Sequence, residues 1–197
     1  MSEVHALSDA DLLAVMVGPK TAQQLLQEVG GSLASLVLFD LAVSVQTAPS
    51  VRAKLGAARE LVRRSLGESL RHRDCLSSPA AVREFLRVTL EGRDHEVFLV
   101  VFLDSQNRLI AAEEMFRGTL TQTSVYPREI VKRSLAHNAA AVIFAHNHPS
   151  GLAEPSRADE LLTSTLKQAL ALVDVKVLDH FVVGAATALS FSERGLL

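Results

Sequence analysis

The chain has 197 residues, 48% of them hydrophobic and 21% charged, with one cysteine, no tryptophan, ten glycines and six prolines. That composition lies in the ordinary globular range and excludes disorder, collagen and a disulfide-built scaffold. At 21.3 kDa, folding buries roughly 70% of the unfolded surface by area scaling, enough for one domain of usual size or for a small one plus a medium one. The net charge of −2 conceals a division. Residues 1–49 carry one basic and five acidic side chains, whereas residues 50–73 carry seven basic ones (Arg52, Lys54, Arg59, Arg63, Arg64, Arg71, Arg73) against Glu60 and Glu68. A locally basic helix is an electrostatic footprint for nucleic acid, and it is equally a solvated face balanced by an acidic neighbour. Cys75 stands alone, which excludes an intramolecular disulfide and a multi-cysteine zinc site and favours a reducing, cytoplasmic compartment. No run of 18 apolar residues and no basic leader is present, so neither a membrane span nor a secretory signal is expected.

The first seventy residues read as a small helical bundle. Ser8 followed by Asp11 has the spacing of a capping box ahead of Leu12, Leu13 and Val15, and helical periodicity over Thr21–Val29 stops at Gly30-Gly31. Ser32 is placed to cap a helix over Leu33–Leu41, and Ser50 to cap a longer one carrying Leu55, Leu61, Val62 and Leu66. The polar, aperiodic stretch that ends at Ser78 reads as a linker, which sets a helical domain at residues 1–70, a linker at 71–78 and a second domain at 79–197. Pro79, suited to a first helical position, opens a helix to Leu90.

From there strands alternate with helices. Val97–Leu103 is an apolar run too short for a helix, and the polar turn Asp104-Ser105-Gln106-Asn107 joins it to a second strand over Arg108–Glu114. Thr119–Val125 reads as a third strand, Pro127–Asn138 as a helix, Ala139–Ala145 as a buried strand and Arg157–Val173 as an amphipathic helix. Val175–Val183 and Ala188–Phe191 complete a mixed α/β domain of about 120 residues.

The chemistry concentrates in His146-Asn147-His148-Pro149-Ser150-Gly151, directly after the buried strand. In extended chain, residues i and i+2 point to one side about 6.5 to 7 Å apart, so His146 and His148 can aim both imidazoles at one ion. Asp159 is the natural third ligand; two histidines and one aspartate leave the fourth position of a tetrahedral zinc open for water. Ser156 and Asp159 also form a Ser-x-x-Asp capping box ahead of the amphipathic helix, a structural role compatible with holding the carboxylate rigid. Hydrolysis further needs a base to take the proton of water. Glu96, His95 and His180 are candidates, and spacing alone does not select among them.

Taken together these residues resemble the JAB/MPN (JAMM) metalloprotease pattern, in which an upstream Glu is followed by His-x-His-Pro-x-Gly and Ser-x-x-Asp. They are closest to its bacterial RadC-like branch. The resemblance runs over residues 78–197, through Phe102-Leu103-Asp104-Ser105-Gln106-Asn107, Arg117-Gly118-Thr119-Leu120, Pro127-Arg128-Glu129-Ile130, the His146–Gly151 block, Asp179-His180 and Ser190–Gly195. It implies a cytidine-deaminase-like/MPN mixed sheet flanked by helices, zinc on His146, His148 and Asp159, Glu96 as general acid/base and Ser156 steadying an oxyanion. The implied activity is that of a zinc metallopeptidase, a hydrolase cutting a peptide or isopeptide bond in a peptide or protein substrate. The family's first part resembles a helix-hairpin-helix that presents backbone amides to nucleic acid. Here that turn reads Gln46-Thr47-Ala48-Pro49, without glycine and with an amide lost to proline, so the hairpin is degenerate. The competing reading is a non-enzymatic DNA-associated or scaffolding protein, carried by the basic segment 52–73. A zinc nucleobase deaminase is excluded, because its Cys-x-x-Cys ligand pair is missing.

Overall fold

A computed structural model describes residues 4–33, 36, 48–118, 125–185 and 187–197. The chain divides into two compact units, Met1–Val62 and Arg63–Leu197. In the first, α1 (Asp9–Val17) is capped by Ser8, whose hydroxyl accepts from the Asp11 amide at 3.2 Å. α2 (Pro19–Glu28) begins on a proline and ends ahead of Gly30 and Gly31. Leu13, Ala22, Leu25 and Leu36 form the small core of this unit, with Val51 and Leu55 packed against it. The latter two belong to α3 (Pro49–Arg71). This helix opens one residue ahead of Ser50, the expected cap, because the fixed φ of Pro49 suits a first helical position. The helix expected over Leu33–Leu41 falls largely outside the described residues, as do the first two residues of the Gln46–Pro49 turn.

The second unit is a mixed sheet with helices on both faces. After α4 (Pro79–Leu90) come β1 (Val97–Leu103) and β2 (Leu109–Arg117), then α5 (Pro127–Ala136), β3 (Ala141–Asn147), α6 (Arg157–Ala171), β4 (Lys176–Val183) and β5 (Ala188–Ser190). The strand order is β2-β1-β3-β4-β5. All neighbours pair antiparallel except β3 and β4, which α6 connects as a parallel crossover. The β1–β2 turn is built by Asp104, whose carboxylate accepts from the amides of Gln106 and Arg108 at 2.8 and 2.9 Å. The strand expected over Thr119–Val125 lies outside the described residues up to position 124.

Alternation along the central strands sorts the core into two layers. Val97, Leu99, Val101 and Leu103 face α4 together with Ile143 and Ala145. Phe98, Val100 and Phe102 face α5 and α6 with Val142 and Phe144. Because both faces are covered, β1 and β3 are buried along their whole length. β3 runs two residues later than the apolar stretch Ala139–Ala145 suggests. Its pairing continues past the last apolar residue, with His146 opposite Phe98 of β1 and Asn147 beside Val183 of β4. His146 is therefore inside the sheet. No described helix is long and apolar enough to cross a membrane.

Candidate metal centre

The end of β3 and the start of α6 bring three side chains together. One ligand atom from each of His146, His148 and Asp159 lies within 4.8 Å of the others. His146 Nε2 is 3.0 Å from His148 Nε2 and 3.3 Å from Asp159 Oδ1, and His148 Nε2 is 3.7 Å from Asp159 Oδ2. Donors held about 2.0 to 2.1 Å from a tetrahedral zinc lie about 3.3 to 3.4 Å from one another; the three distances fall on either side of that value, so this donor set could hold a metal ion.

Each of the three is anchored by its own element. His146 is 1% exposed, fixed by the β1–β3 register and stacked on Phe98 at 6.4 Å between ring centres. The His148 amide donates to the Val183 carbonyl of β4 at 3.0 Å, and its Nδ1 donates to the Leu152 carbonyl at 2.8 Å. That bond places the ring proton on Nδ1 and leaves Nε2 facing the cluster. The loop bearing Leu152 is held close to the end of β4 at Gly184: a Cβ there would lie 2.5 Å from the Gly151 carbonyl oxygen and 3.0 Å from the Ala153 amide. Gly151 itself turns the chain at φ 81°.

Asp159 is the third residue of α6 and shares a capping box with Ser156. Its Oδ2 accepts from the Ser156 amide at 2.7 Å and the Ser156 hydroxyl at 2.6 Å, while the Asp159 amide donates back to Ser156 Oγ at 3.2 Å. Oδ2 is thus occupied, and Oδ1 is the oxygen turned toward His146. Burial pushes this carboxyl up, but its interactions with His146 and His148, joined by the Ser156 hydrogen bond, outweigh burial and hold it well below the usual carboxylate range. The Asp159 carboxylate in turn raises His148, against a smaller opposing effect of burial.

Glu96 immediately precedes β1. Period-two alternation carries it to the sheet face of Phe98 and His146, and its charge is among those that raise His148. Its own backbone is clamped on either side. The buried Asn147 accepts from the Val97 amide at 2.9 Å and donates to the His95 carbonyl at 3.0 Å, while the Glu96 carbonyl accepts from the Gly118 amide at 2.8 Å. Asn147, the middle letter of His-Asn-His, is a residue that sequence reasoning missed, because its partners lie 50 and 52 positions away. Of the other two candidate bases, His95 pairs with Asp94 at 2.5 Å. His180 is fully buried, and its Nε2 lies 2.8 Å from His146 Nδ1 while its Nδ1 lies 2.6 Å from Thr163 Oγ1. Burial pushes its pKa well below the ordinary value, which suits a neutral structural ring better than a proton acceptor exposed to water.

A mixed sheet covered by helices on both faces, with a His-x-His strand end and a capped Ser-x-x-Asp helix start, is the arrangement the resemblance to a JAB-type domain implies. Residues 76–196 match the family model described as RadC-like JAB domain, and the chain belongs to that family. It is 55% identical over 202 residues to a UPF0758 protein of Nitrosospira multiformis, covering 97% of this chain and 90% of that protein. It is 56% identical over 204 residues to a UPF0758 protein of Dechloromonas aromatica, covering 98% and 90% respectively.

Proposed function

We propose that this protein is a zinc-dependent hydrolase of the JAMM type that cleaves a peptide or isopeptide bond in a peptide or protein substrate. His146, His148 and Asp159 hold the metal, Glu96 is the general acid/base and Ser156 assists at the oxyanion. The observation that carries the reading is the convergence of two imidazole Nε2 atoms on the Asp159 carboxylate, His146 facing Oδ1 at 3.3 Å and His148 facing Oδ2 at 3.7 Å, on the sheet face to which alternation brings Glu96. Zinc at these side chains supplies a Lewis acid that brings the pKa of water near 7. Glu96 takes a proton from the attacking water and passes it to the leaving amine. The Asn147 clamp fixes the backbone from which that carboxylate projects. The Ser156 hydroxyl, exposed at the helix start, exchanges its bond to Asp159 for one to the developing oxyanion. Cys75, whose thiol is pushed up to about 11 by burial, is inert and needs no disulfide partner, which fits the cytoplasmic setting included in this proposal.

The DNA-associated reading receives less support. Arg63, Arg64 and Arg71 of the basic segment line a cavity of about 510 Å³ whose wall also carries Glu68 and Glu113, so it is not the single-sign surface that phosphate binding favours. Metal analysis of the purified protein tests the proposal. It expects about one zinc per chain in the wild type and in Glu96→Gln, none in His146→Ala, and no turnover of a peptide library by Glu96→Gln. Wild-type protein that takes up no zinc at neutral pH defeats it.

A further inference from the structure

We propose that His180 and Thr163 are positioning residues for the metal centre: a chain of hydrogen bonds that starts on the backbone of Asp159 fixes the tautomer and ring orientation of His146. The inference rests on the metal-site reading above and extends it to two side chains that touch neither ion nor substrate.

Each proton in the chain is assigned by elimination. The Asp159 carbonyl can only accept, so the single hydroxyl proton of Thr163 goes to it, at 2.6 Å. Thr163 Oγ1 must then accept from His180 at 2.6 Å, which places a proton on His180 Nδ1. The His180 ring is fully buried, and its two nitrogens meet Thr163 Oγ1 and His146 Nδ1; with the proton on Nδ1, Nε2 carries the lone pair. That lone pair accepts from His146 Nδ1 at 2.8 Å. A neutral His146 therefore presents its own Nε2 lone pair to Asp159 and His148. The Leu152 carbonyl imposes the same tautomer on His148. The 3.0 Å contact between the two Nε2 atoms brings the two ligand nitrogens together beside the Asp159 carboxylate.

The chain is closed to alternatives. Phe98, Phe144 and Phe191 surround the His180 ring at centroid distances of 5.6, 5.8 and 4.7 Å, so no other polar group competes for its nitrogens. It also begins and ends on two of the proposed ligands, so that α6 and β3 are set relative to each other by side chains as well as by packing. Metal-bound histidines more often donate to a carboxylate, backbone carbonyl or water. A neutral imidazole in that place orients His146 without adding negative charge, leaving Asp159 as the one anionic ligand.

The test pairs two readouts on the full-length protein. Long-range proton–nitrogen NMR of the metal-free wild type at neutral pH is expected to show His180 and His146 both as Nδ1–H tautomers. Competition with a chromogenic zinc chelator is expected to show Thr163→Val weakening zinc binding about 10- to 100-fold, with Thr163→Ser, which keeps the hydroxyl, restoring most of it. His180 found as the Nε2–H tautomer, or Thr163→Val binding zinc as tightly as wild type, overturns the inference. If the wild type binds no zinc, the proposed function fails while the tautomer measurement still decides the chain. The same measurement decides it if Thr163→Val does not fold.

Discussion

Two clusters in the second unit are built from the same side-chain types and differ in what neutralises them. At one, Glu113 of β2 meets Arg133 and His137 at the end of α5. Arg133 Nε donates to the carboxylate at 2.7 Å, its Nη2 makes a second bond, and His137 Nε2 lies 2.8 Å from the same group. At the other, Asp159 meets His146 and His148, and among the described residues no arginine or lysine is a hydrogen-bond or ion-pair partner of the three. The first cluster carries its own cation on a long side chain and is complete. The second directs two imidazole nitrogens at one carboxylate with no side-chain cation among the described residues to meet them. A carboxylate–histidine group thus could hold a metal when its donors converge and its counter-charge is missing, and is a complete ion pair when an arginine already supplies it.

The sharpest way to break this contrast is metal removal. Zinc at about a thousandfold excess over its Kd should stabilise the wild type by about 4 kcal/mol, a shift that chelation reverses and Asp159→Ala abolishes; thermal melts with and without zinc check it. An equal shift in Asp159→Ala would place the ion elsewhere. Gly184→Ala forces the Gly151–Ala153 loop away from β4 and should cost up to about 3 kcal/mol. It should also weaken zinc binding by disturbing the Leu152 bond to His148, as urea unfolding and chelator competition would report. Asn147→Ala leaves the Val97 amide and the His95 carbonyl unpaired in a buried position, costing about 2 kcal/mol, and lowers turnover more than zinc affinity because the clamp acts on the backbone of Glu96.

The smallest effect belongs to the complete cluster. Hydrogen bonding from Arg133, joined by His137 and opposed by burial, holds the Glu113 carboxyl below its ordinary value of 4.5. A depressed carboxyl contributes stability that is present above the unfolded pKa and lost as pH falls through the folded one. Glu113→Gln should therefore cost about 0.5 kcal/mol at pH 7, as expected of a partly exposed pair, and the difference should shrink below pH 4.5. Zinc should leave that difference unchanged.

Much of the centre was legible in the order of residues because it depends on local geometry. His146 and His148 share a side by strand periodicity. Asp159 and Ser156 are coupled by the spacing of a capping box, and the structure contains that box with both of its bonds. Glu96 was legible as one candidate among three, distinguished by the family resemblance. Asn147, Thr163 and the role of His180 were not. Thr163 follows Asp159 by one helical turn, a spacing visible in retrospect, but its meaning depends on His180, which is 17 positions further on and on another element. The end of β3 was misplaced by two residues for the same reason: apolar content stops at Ala145, while the ladder to β1 and β4 continues through Asn147.

Sequence patterns alone were enough for the helical start, the alternation of strands and helices and the three residues able to meet at one ion. These follow from periodicities of 2 and 3.6, from caps, and from which atoms carry lone pairs. Strand register and packing were needed to see that His146 lies within the sheet, that Asn147 grips the chain around Glu96, and that Thr163 and His180 reach the far side of the His146 ring. Each of those depends on strand register and on the packing of α6 against β4, where hydrogen-bond partners distant along the chain become neighbours and every buried polar atom must find one.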